Sequence, residues 1–278
     1  MVFLVGILDD HKDATPRAKF YVIFLATILL FLDDISIYSL GVFLGLELKL
    51  WYFALPFTMF ALAGFTNALN LIDGLDGLAG TISLVILSTF LYIGYINDDN
   101  LIVTLCLFSM TSVLAFLIFN WNPARIFMGD SGSLFLGFVI SVIAVISLKY
   151  IHPISVFYLT ALPILDTVVV MVRRIRKRIS PFSPDKTHIH HILLGFFSKK
   201  VKTTVIFLIL LQCLFSIAGL MMANSSNKLT LGSYSFFAFV AFIFIIALFY
   251  MVLTGMKRRQ KLIEKLSNRK KRINSKQK

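Results

Sequence analysis

The chain has 278 residues, of which 58% are hydrophobic, and its mean hydropathy is +0.86. Soluble domains contain about 45–50% apolar residues, and the excess here lies in long runs with almost no charge, which excludes a string of soluble domains. The net charge of +13 could indicate nucleic-acid binding, and the only two cysteines, Cys106 and Cys213, fall inside apolar runs. That placement excludes a disulfide framework or a zinc–cysteine site.

The first apolar segment, Met1 to Leu8, is short. Eight helical residues extend only about 12 Å, which is too little to cross a bilayer. The segment has no basic region before it and no small-residue cleavage site after it, so we exclude a signal peptide. We interpret it as the inner end of a spanning helix whose remainder is missing; a short buried or interfacial segment is the alternative.

Further along the chain, about eight apolar runs reach or approach the roughly 20 residues that a transmembrane helix needs. Backbone groups inside a bilayer must be paired internally, so these runs are predicted as helices. The prediction is an all-α integral membrane protein, a polytopic bundle of about eight transmembrane helices. The predicted spans are residues 20–34, 52–68, 78–97, 101–119, 132–148, 154–172, 202–222 and 232–255.

The basic residues divide unequally between the two sides of this topology. Every Lys and Arg lies on the same side of the predicted membrane as the N-terminus, except for Lys49, Lys149 and Lys228. By the positive-inside rule, that side is the cytoplasm, and both termini of the chain lie there. The charge therefore reflects topology, and we expect no nucleic-acid partner. We divide the chain into a membrane domain, 1–255, and a basic cytoplasmic tail, 256–278, which anionic headgroups would attract.

The first polar motif is the pair Asp9-Asp10, followed by Lys12, Arg17 and Lys19. Carboxylates can hold Mg²⁺ and lysines can hold phosphate. The alternative is a solvated loop, because two further pairs, at 33–34 and 98–99, lie on the outer side without such neighbours.

The second motif places polar residues at every third position, Asn67, Asn70, Asp73 and Asp76, at the inner end of a span. In a continuous helix the first and last would lie on opposite faces. A break at Gly74 and Gly77 would bring them together and would let the backbone approach a ligand. A polar helix end with glycine caps is the alternative.

The third motif holds Asp130 between Gly129 and the Ser131-Gly132-Ser133 sequence, where the next span begins. The flanking glycines let the backbone approach a cation or a phosphate, and backbone amides at the start of a helix favour anions. We therefore choose the Asp130 carboxylate as a direct Mg²⁺ ligand, with a helix-capping role as the alternative.

The fourth motif combines a basic run that begins at Arg173 with His188, His190 and His191 after Pro181-Phe-Ser-Pro-Asp-Lys. Histidines and arginines together suit an anionic diphosphate, although a surface cluster is the alternative. Asp166 is a carboxylate within a predicted span, which indicates a functional role by default. We assign it structural support, with pairing to Arg173 as another option.

The four motifs, in this order, resemble the polyprenyl-phosphate N-acetylhexosamine-1-phosphate transferases. The chain is more similar to the WecA/TagO branch than to the MraY branch, whose histidine triplet is contiguous, whereas Ile189 interrupts it here. The resemblance implies that a lipid phosphate attacks the β-phosphate of a UDP-N-acetylhexosamine and releases UMP. It implies Mg²⁺ as cofactor, with Mn²⁺ as a substitute, and leaves a homodimer open. Members of the family have about two more spans before the aspartate pair, which is the reason for preferring a missing segment.

The resemblance also assigns roles by motif position. The expected catalytic residues are Asp9, Asp10, Asp73, Asp76 and Asp130. Asp130 and Asp73 are the expected metal ligands. The expected substrate-binding residues are Lys19, Asn67, Asn70, Arg173, His188, His190 and His191. Two alternatives are an inactive or scaffolding relative and an ion-coupled transporter built on Asp166, which would need polar groups near the midplane.

Overall fold

A computed structural model describes residues 1–12, 15–180, 188–223 and 228–276. Its helices are α1 Val2–Lys12, α2 Pro16–Leu32, α3 Ala54–Ile72, α4 Leu78–Ile96, α5 Asn100–Asn120, α6 Gly129–Ser147, α7 Pro153–Leu159, α8 Ala161–Arg176, α9 Ile189–Phe196, α10 Val201–Ala223 and α11 Lys228–Lys276. A short 3₁₀ helix, Trp51–Phe53, precedes α3. Part of the fourth motif, Pro181 to Thr187, lies outside the described residues.

Across these described ranges, six helices are long and apolar enough to cross a membrane, and α7 with α8 makes a seventh if the bent pair counts as one span. The all-α polytopic prediction is therefore confirmed, but the expected number of about eight spans is reached only if α2 is included. Helix α2 has 17 residues, which lies at the lower end of the range for a spanning helix. Its start is well defined, because the Thr15 side chain accepts from the Ala18 amide and Pro16 occupies the first turn.

The connection between α2 and α3 contains a β-hairpin that was not predicted from the sequence. Strand β1, Ser39–Phe43, pairs antiparallel with β2, Leu46–Lys49. Both residues of the turn, Leu44 and Gly45, have positive φ angles of 50° and 84°, as expected for a two-residue hairpin turn. We call the end of the bundle that holds this hairpin the hairpin end.

The opposite end, which we call the motif end, gathers the polar segments. It holds the C-terminus of α1, the N-termini of α2 and α6, and the connections α3–α4 and α5–α6. Helix α1 packs closely on α6 at Gly6. A Cβ atom at this position would lie only 2.4 Å from the Ser131 Cα, so the close approach requires glycine. A buried apolar cluster that includes Val2, Ile23, Leu62 and Leu134 joins α1, α2, α3 and α6. This cluster fixes the helices that carry the first three motifs relative to one another.

A second and larger apolar core joins α4, α6, α8 and α10, with α9 against it. It includes Ile86, Ile140, Leu165 and Leu208, all of them fully buried. Many large apolar residues outside the two cores are exposed, as on α5, where Phe108 is 72% exposed. Such surfaces suit a lipid environment, in which apolar side chains face hydrocarbon.

Candidate active site

The Asp10 carboxylate joins α1 to the N-terminus of α6. Its two oxygens accept hydrogen bonds from the backbone amides of Asp130, at 2.8 Å, and Ser131, at 3.1 Å. The first amides of a helix lack partners within the helix and favour negative charge. Burial would raise the pKa of Asp10, but these donors outweigh it and hold the pKa below its ordinary value. The predicted anion site at this helix start is thus filled by the chain's own carboxylate.

Lys19 lies between two carboxylates that come from different helices. Its Nζ atom is 2.5 Å from Asp9 Oδ2 and also pairs with Asp130 Oδ2. Asp9 and Asp130 also contact each other, and burial followed by this neighbour raises the pKa of Asp9. The three side chains are between 13% and 30% exposed. The first and third motifs therefore form one cluster of charges, which we call the Asp–Lys–Asp cluster.

The second motif reaches the same place from α3. The Asn70 amide donates to Ser133 Oγ at 3.1 Å and also contacts the Asp130 carboxylate. Helix α3 ends at Ile72, and α4 begins at Leu78 after Gly77 with φ +77°, so the predicted break in this motif is confirmed.

Asp73 stands at the C-terminus of α3, at this break. Burial, and then the nearby Asp130 carboxylate, raise the pKa of Asp73 to about 6. Asn67 is half-buried on α3, six residues before Asp73. Asn70 and Asp73 thus join Asp130, while the structure gives Asn67 no direct contact with it.

Asp76 is held differently from the other carboxylates. One of its oxygens accepts from the Asn122 side chain at 2.8 Å and from the Ala124 backbone amide at 3.0 Å. Asn120 makes a second link, because it accepts from the Gly77 amide at 2.9 Å and donates to the Ile126 carbonyl at 2.8 Å. These bonds position the α5–α6 connection, which leads to Asp130. Asn120 and Asn122, which precede the third motif in the sequence, were not predicted as site residues, because their role depends on these tertiary contacts.

The histidine segment is anchored by Asp166 of α8. One oxygen of Asp166 is 2.9 Å from His188 Nδ1, and the other accepts the Ile189 amide at 2.6 Å. The His190 ring stacks on His188 and lies 4.3 Å from the ring of His191. Asp166 therefore supports α9, in agreement with the structural role predicted for it. A transporter that uses Asp166 finds no support here, because both of its oxygens are engaged.

His190 connects this segment to the second motif. It is only 1% exposed, and a Cβ on Gly74 would lie 2.2 Å from its Nε2 atom. Burial, the largest effect, lowers the pKa of His190 to about 4, so the ring is neutral near pH 7. Arg173 is buried on α8 within electrostatic range of Tyr250 on α11. The structure thus brings His190 to the turn that holds Asp73, while Arg173 lies on α8, within electrostatic range of Tyr250.

The donor set fits Mg²⁺. In the ranges that the structure describes, no three His, Cys, Asp or Glu side chains form a ready metal site. Mg²⁺, however, is usually bound by one or two carboxylates together with substrate phosphates and water. Asp130 and Asp73 lie close enough for the first to raise the pKa of the second. They offer two such carboxylates. The assignment of Asp130 and Asp73 as metal ligands therefore stays a prediction, and the geometry is compatible with it.

A large apolar cavity of about 740 Å³ runs along the bundle. It extends from the hairpin to the C-terminal half of α8, and α3, α6 and α11 contribute its other walls. Its lining includes Leu40, Phe60, Val145, Phe157, Ile164 and Met171. Its volume and apolar lining suit a long apolar chain.

Fold and site together define a polytopic membrane protein with a cluster of acidic and basic groups at one end of its helices. Residues 1–148 match glycosyl transferase family 4. A probable undecaprenyl-phosphate N-acetylglucosaminyl 1-phosphate transferase from Bacillus subtilis strain 168 is 36% identical over 252 residues, which are 88% of this chain and 68% of the relative. An undecaprenyl-phosphate alpha-N-acetylglucosaminyl 1-phosphate transferase from Escherichia coli K12 is 31% identical over 212 residues, 72% of this chain and 58% of the relative. The chain belongs to glycosyl transferase family 4, and it spans between 58% and 68% of the length of these two relatives.

Proposed function

We propose that the protein transfers an N-acetylhexosamine-1-phosphate, with GlcNAc-1-phosphate as the first candidate, from a UDP-sugar to undecaprenyl or another polyprenyl phosphate. UMP leaves, and a polyprenyl diphosphate sugar stays in the membrane. The observation that carries this proposal is the convergence of Asp9, Lys19 and Asp130 from three helices at one end of the bundle, in a chain whose relatives are named for this reaction.

The Asp–Lys–Asp cluster suits phosphoryl transfer, in which a protein mainly positions the reacting groups and neutralises charge. The Lys19 ammonium is held by two carboxylates, so it is fixed near the point where a phosphate would bind. A phosphate oxygen can replace one carboxylate as its partner. Asp9, whose pKa is raised, can accept a proton from a lipid phosphate or orient it toward the β-phosphate.

Asp130 and Asp73 would hold Mg²⁺, or Mn²⁺ in its place. When bound, the ion would neutralise charge on the diphosphate and on the leaving UMP. Asn70 keeps the Asp130 carboxylate oriented through its direct contact. His190, neutral and packed on Gly74, fixes the histidine segment beside the same turn, where His188 and His191 would bind the nucleotide part of the donor.

The apolar cavity is the proposed binding site of the polyprenyl chain, so the lipid substrate would reach the protein from the surrounding membrane. The motif end would lie on the cytoplasmic side of the cell membrane, because the UDP-sugar donor is soluble and basic residues are concentrated at that end. Both termini of this chain would lie on that side. A homodimer is compatible with this arrangement.

The test is transfer of labelled sugar phosphate from UDP-GlcNAc to undecaprenyl phosphate in membranes that contain the protein. We expect lipid-linked label that disappears with EDTA and returns with Mg²⁺. Asp130→Ala should abolish it, while Asp98→Ala, an outer carboxylate outside the four motifs, should not. Label that persists in Asp130→Ala, or no label with any UDP-N-acetylhexosamine, would refute the proposal.

A further inference from the structure

The span formed by α7 and α8 is bent by 86° at Thr160, and this bend leaves backbone groups without helical partners. In a continuous helix, the amide of residue 163 would donate to the Leu159 carbonyl. Residue 163 is proline, which has no amide hydrogen. The Leu162 amide also lies at the N-terminus of α8, where the first amides lack partners. Leu159 and Leu162 are both fully buried, so unpaired groups here would be costly.

A single side chain of α10 pairs both groups. Gln212 Nε2 donates to the Leu159 carbonyl at 2.7 Å, and Gln212 Oε1 accepts from the Leu162 amide at 3.0 Å. The glutamine amide thus takes the place of a peptide unit, with one donor and one acceptor. Its second N–H reaches Ser216 Oγ at 3.2 Å, so both N–H donors and the carbonyl oxygen of this fully buried side chain have partners.

The neighbouring sequence of α10 permits this approach. Gly219 lies seven residues after Gln212 and therefore on the same helix face. A Cβ on Gly219 would lie 2.7 Å from a Leu159 methyl carbon and 3.1 Å from the Leu159 nitrogen. The glycine lets α10 come against the bend, where Gln212 can reach both groups.

The bend matters because α8 carries Asp166. Asp166 lies four residues after Leu162, about one helical turn further along α8. Its carboxylate holds His188 and the Ile189 amide. Residues from both halves of the bent span, such as Phe157 and Ile164, also line the apolar cavity. A change in the bend would therefore move the anchor of the histidine segment and the wall of the cavity together.

We propose that Gln212 is a positioning residue, which fixes the bend of the α7–α8 span and so sets Asp166 and the histidine segment for substrate. Its effect on turnover rests on the proposed function. Its effect on the fold does not, because the bend and the Asp166 contacts are independent of the reaction.

Hydrogen exchange of the purified protein in nanodiscs tests the structural part. In Gln212→Leu, the Leu162 amide should exchange about tenfold faster, since it loses its acceptor. The Ile189 amide, 27 residues further along the chain, should also exchange several-fold faster, since Asp166 shifts. Ser216→Ala is the matched control: it keeps both bonds to the bend, and both amides should exchange as in the wild type.

Rescue by a similar side chain separates a specific bond from general packing. In Gln212→Glu, burial favours the neutral acid, whose hydroxyl can donate and whose carbonyl can accept. We expect this variant to keep most of the wild-type turnover, while Gln212→Leu loses roughly tenfold in kcat and also raises the KM for the lipid phosphate. If Gln212→Leu does not accumulate, Gln212→Asn replaces it, because its shorter side chain cannot reach both groups.

Three results would overturn the proposal. They are an unchanged Leu162 amide in Gln212→Leu, a faster Leu162 amide with an unchanged Ile189 amide, and equal losses in Gln212→Glu and Gln212→Leu. Absence of transfer in the wild type would instead refute the proposed function, and the exchange measurement would still decide the role of Gln212 in the bend.

Discussion

Gly6 is the residue at which a single added methyl group should disturb the proposed site most directly. In Gly6→Ala, the new Cβ would lie 2.4 Å from the Ser131 Cα and 2.8 Å from the Asp130 carbonyl oxygen. Ordinary carbon–carbon contact needs about 3.5–4.0 Å, so α1 must move away from α6 by about 1 Å or more. Both contacted atoms belong to the backbone of α6, so the clash cannot be relieved by a change of side-chain rotamer.

A movement of this size would lengthen the bonds from Asp10 to the two amides of α6, now 2.8 and 3.1 Å, beyond hydrogen-bonding distance. It would also separate Asp9 from Lys19. A misplacement of about 1 Å can reduce catalysis about 100-fold, and we expect a loss of that order in the transfer rate of Gly6→Ala.

The assay is the initial rate of label transfer in membranes, normalised to the amount of folded protein measured by size-exclusion chromatography. Gly255→Ala is the matched control, because a Cβ there meets nothing within 4 Å. Wild-type activity in Gly6→Ala would refute the reasoning, since it would mean that the contact between α1 and α6 does not set the site.

Three further results are expected. Asp130→Asn should lower the transfer rate roughly 100-fold or more while the protein still elutes as a folded species; a rate near that of the wild type would contradict the assigned role. Asp76→Ala removes the acceptor of two hydrogen bonds and should destabilise the fold by about 1–3 kcal/mol, seen as a lower Tm in detergent, and an unchanged Tm would count against the loop contact. His190 is held neutral with a pKa of about 4 against an ordinary value of 6.5, so the unfolded chain binds more protons between these values and stability falls as the pH drops from 6.5 toward 4. His190→Gln should weaken that fall in Tm, and an identical pH profile would argue against the buried neutral ring.

Much of the fold follows from hydropathy, because long apolar runs have few structural options in a bilayer. The break after Asp73 was also predictable, since Gly74 and Gly77 interrupt a polar run at the end of a span. The hairpin was not predictable, because only one of its two turn residues, Gly45, is of a type that is typical of hairpin turns, and the other is Leu44. The bend at Thr160 was missed for a related reason: Pro163 marks a weak point, but the partner that stabilises the bend is 49 residues away on α10.

The site shows the same division between local and distant information. Asp9, Lys19 and Asp130 could be chosen from their motifs, but the sequence does not say that Lys19 bridges both carboxylates. The role of Asp10 as the cap of α6 depends on contact between segments about 120 residues apart. The sequence does not distinguish Asp76 from the other polar residues of its motif, but in the structure its hydrogen bonds link it to the α5–α6 connection. Tertiary contacts of this kind leave no periodic signal in the chain.

The most direct test of the proposed reaction identifies the bond of the UDP-sugar that is broken. UDP-GlcNAc labelled with ³²P at the β-phosphate and ¹⁴C in the sugar is incubated with the protein, Mg²⁺ and undecaprenyl phosphate, and both the lipid product and the released nucleotide are analysed. If the protein transfers a sugar-1-phosphate, both labels appear in the lipid in equal amounts, with one UMP released per lipid formed. Sugar label alone in the lipid, with UDP released, would contradict transfer of a sugar-1-phosphate.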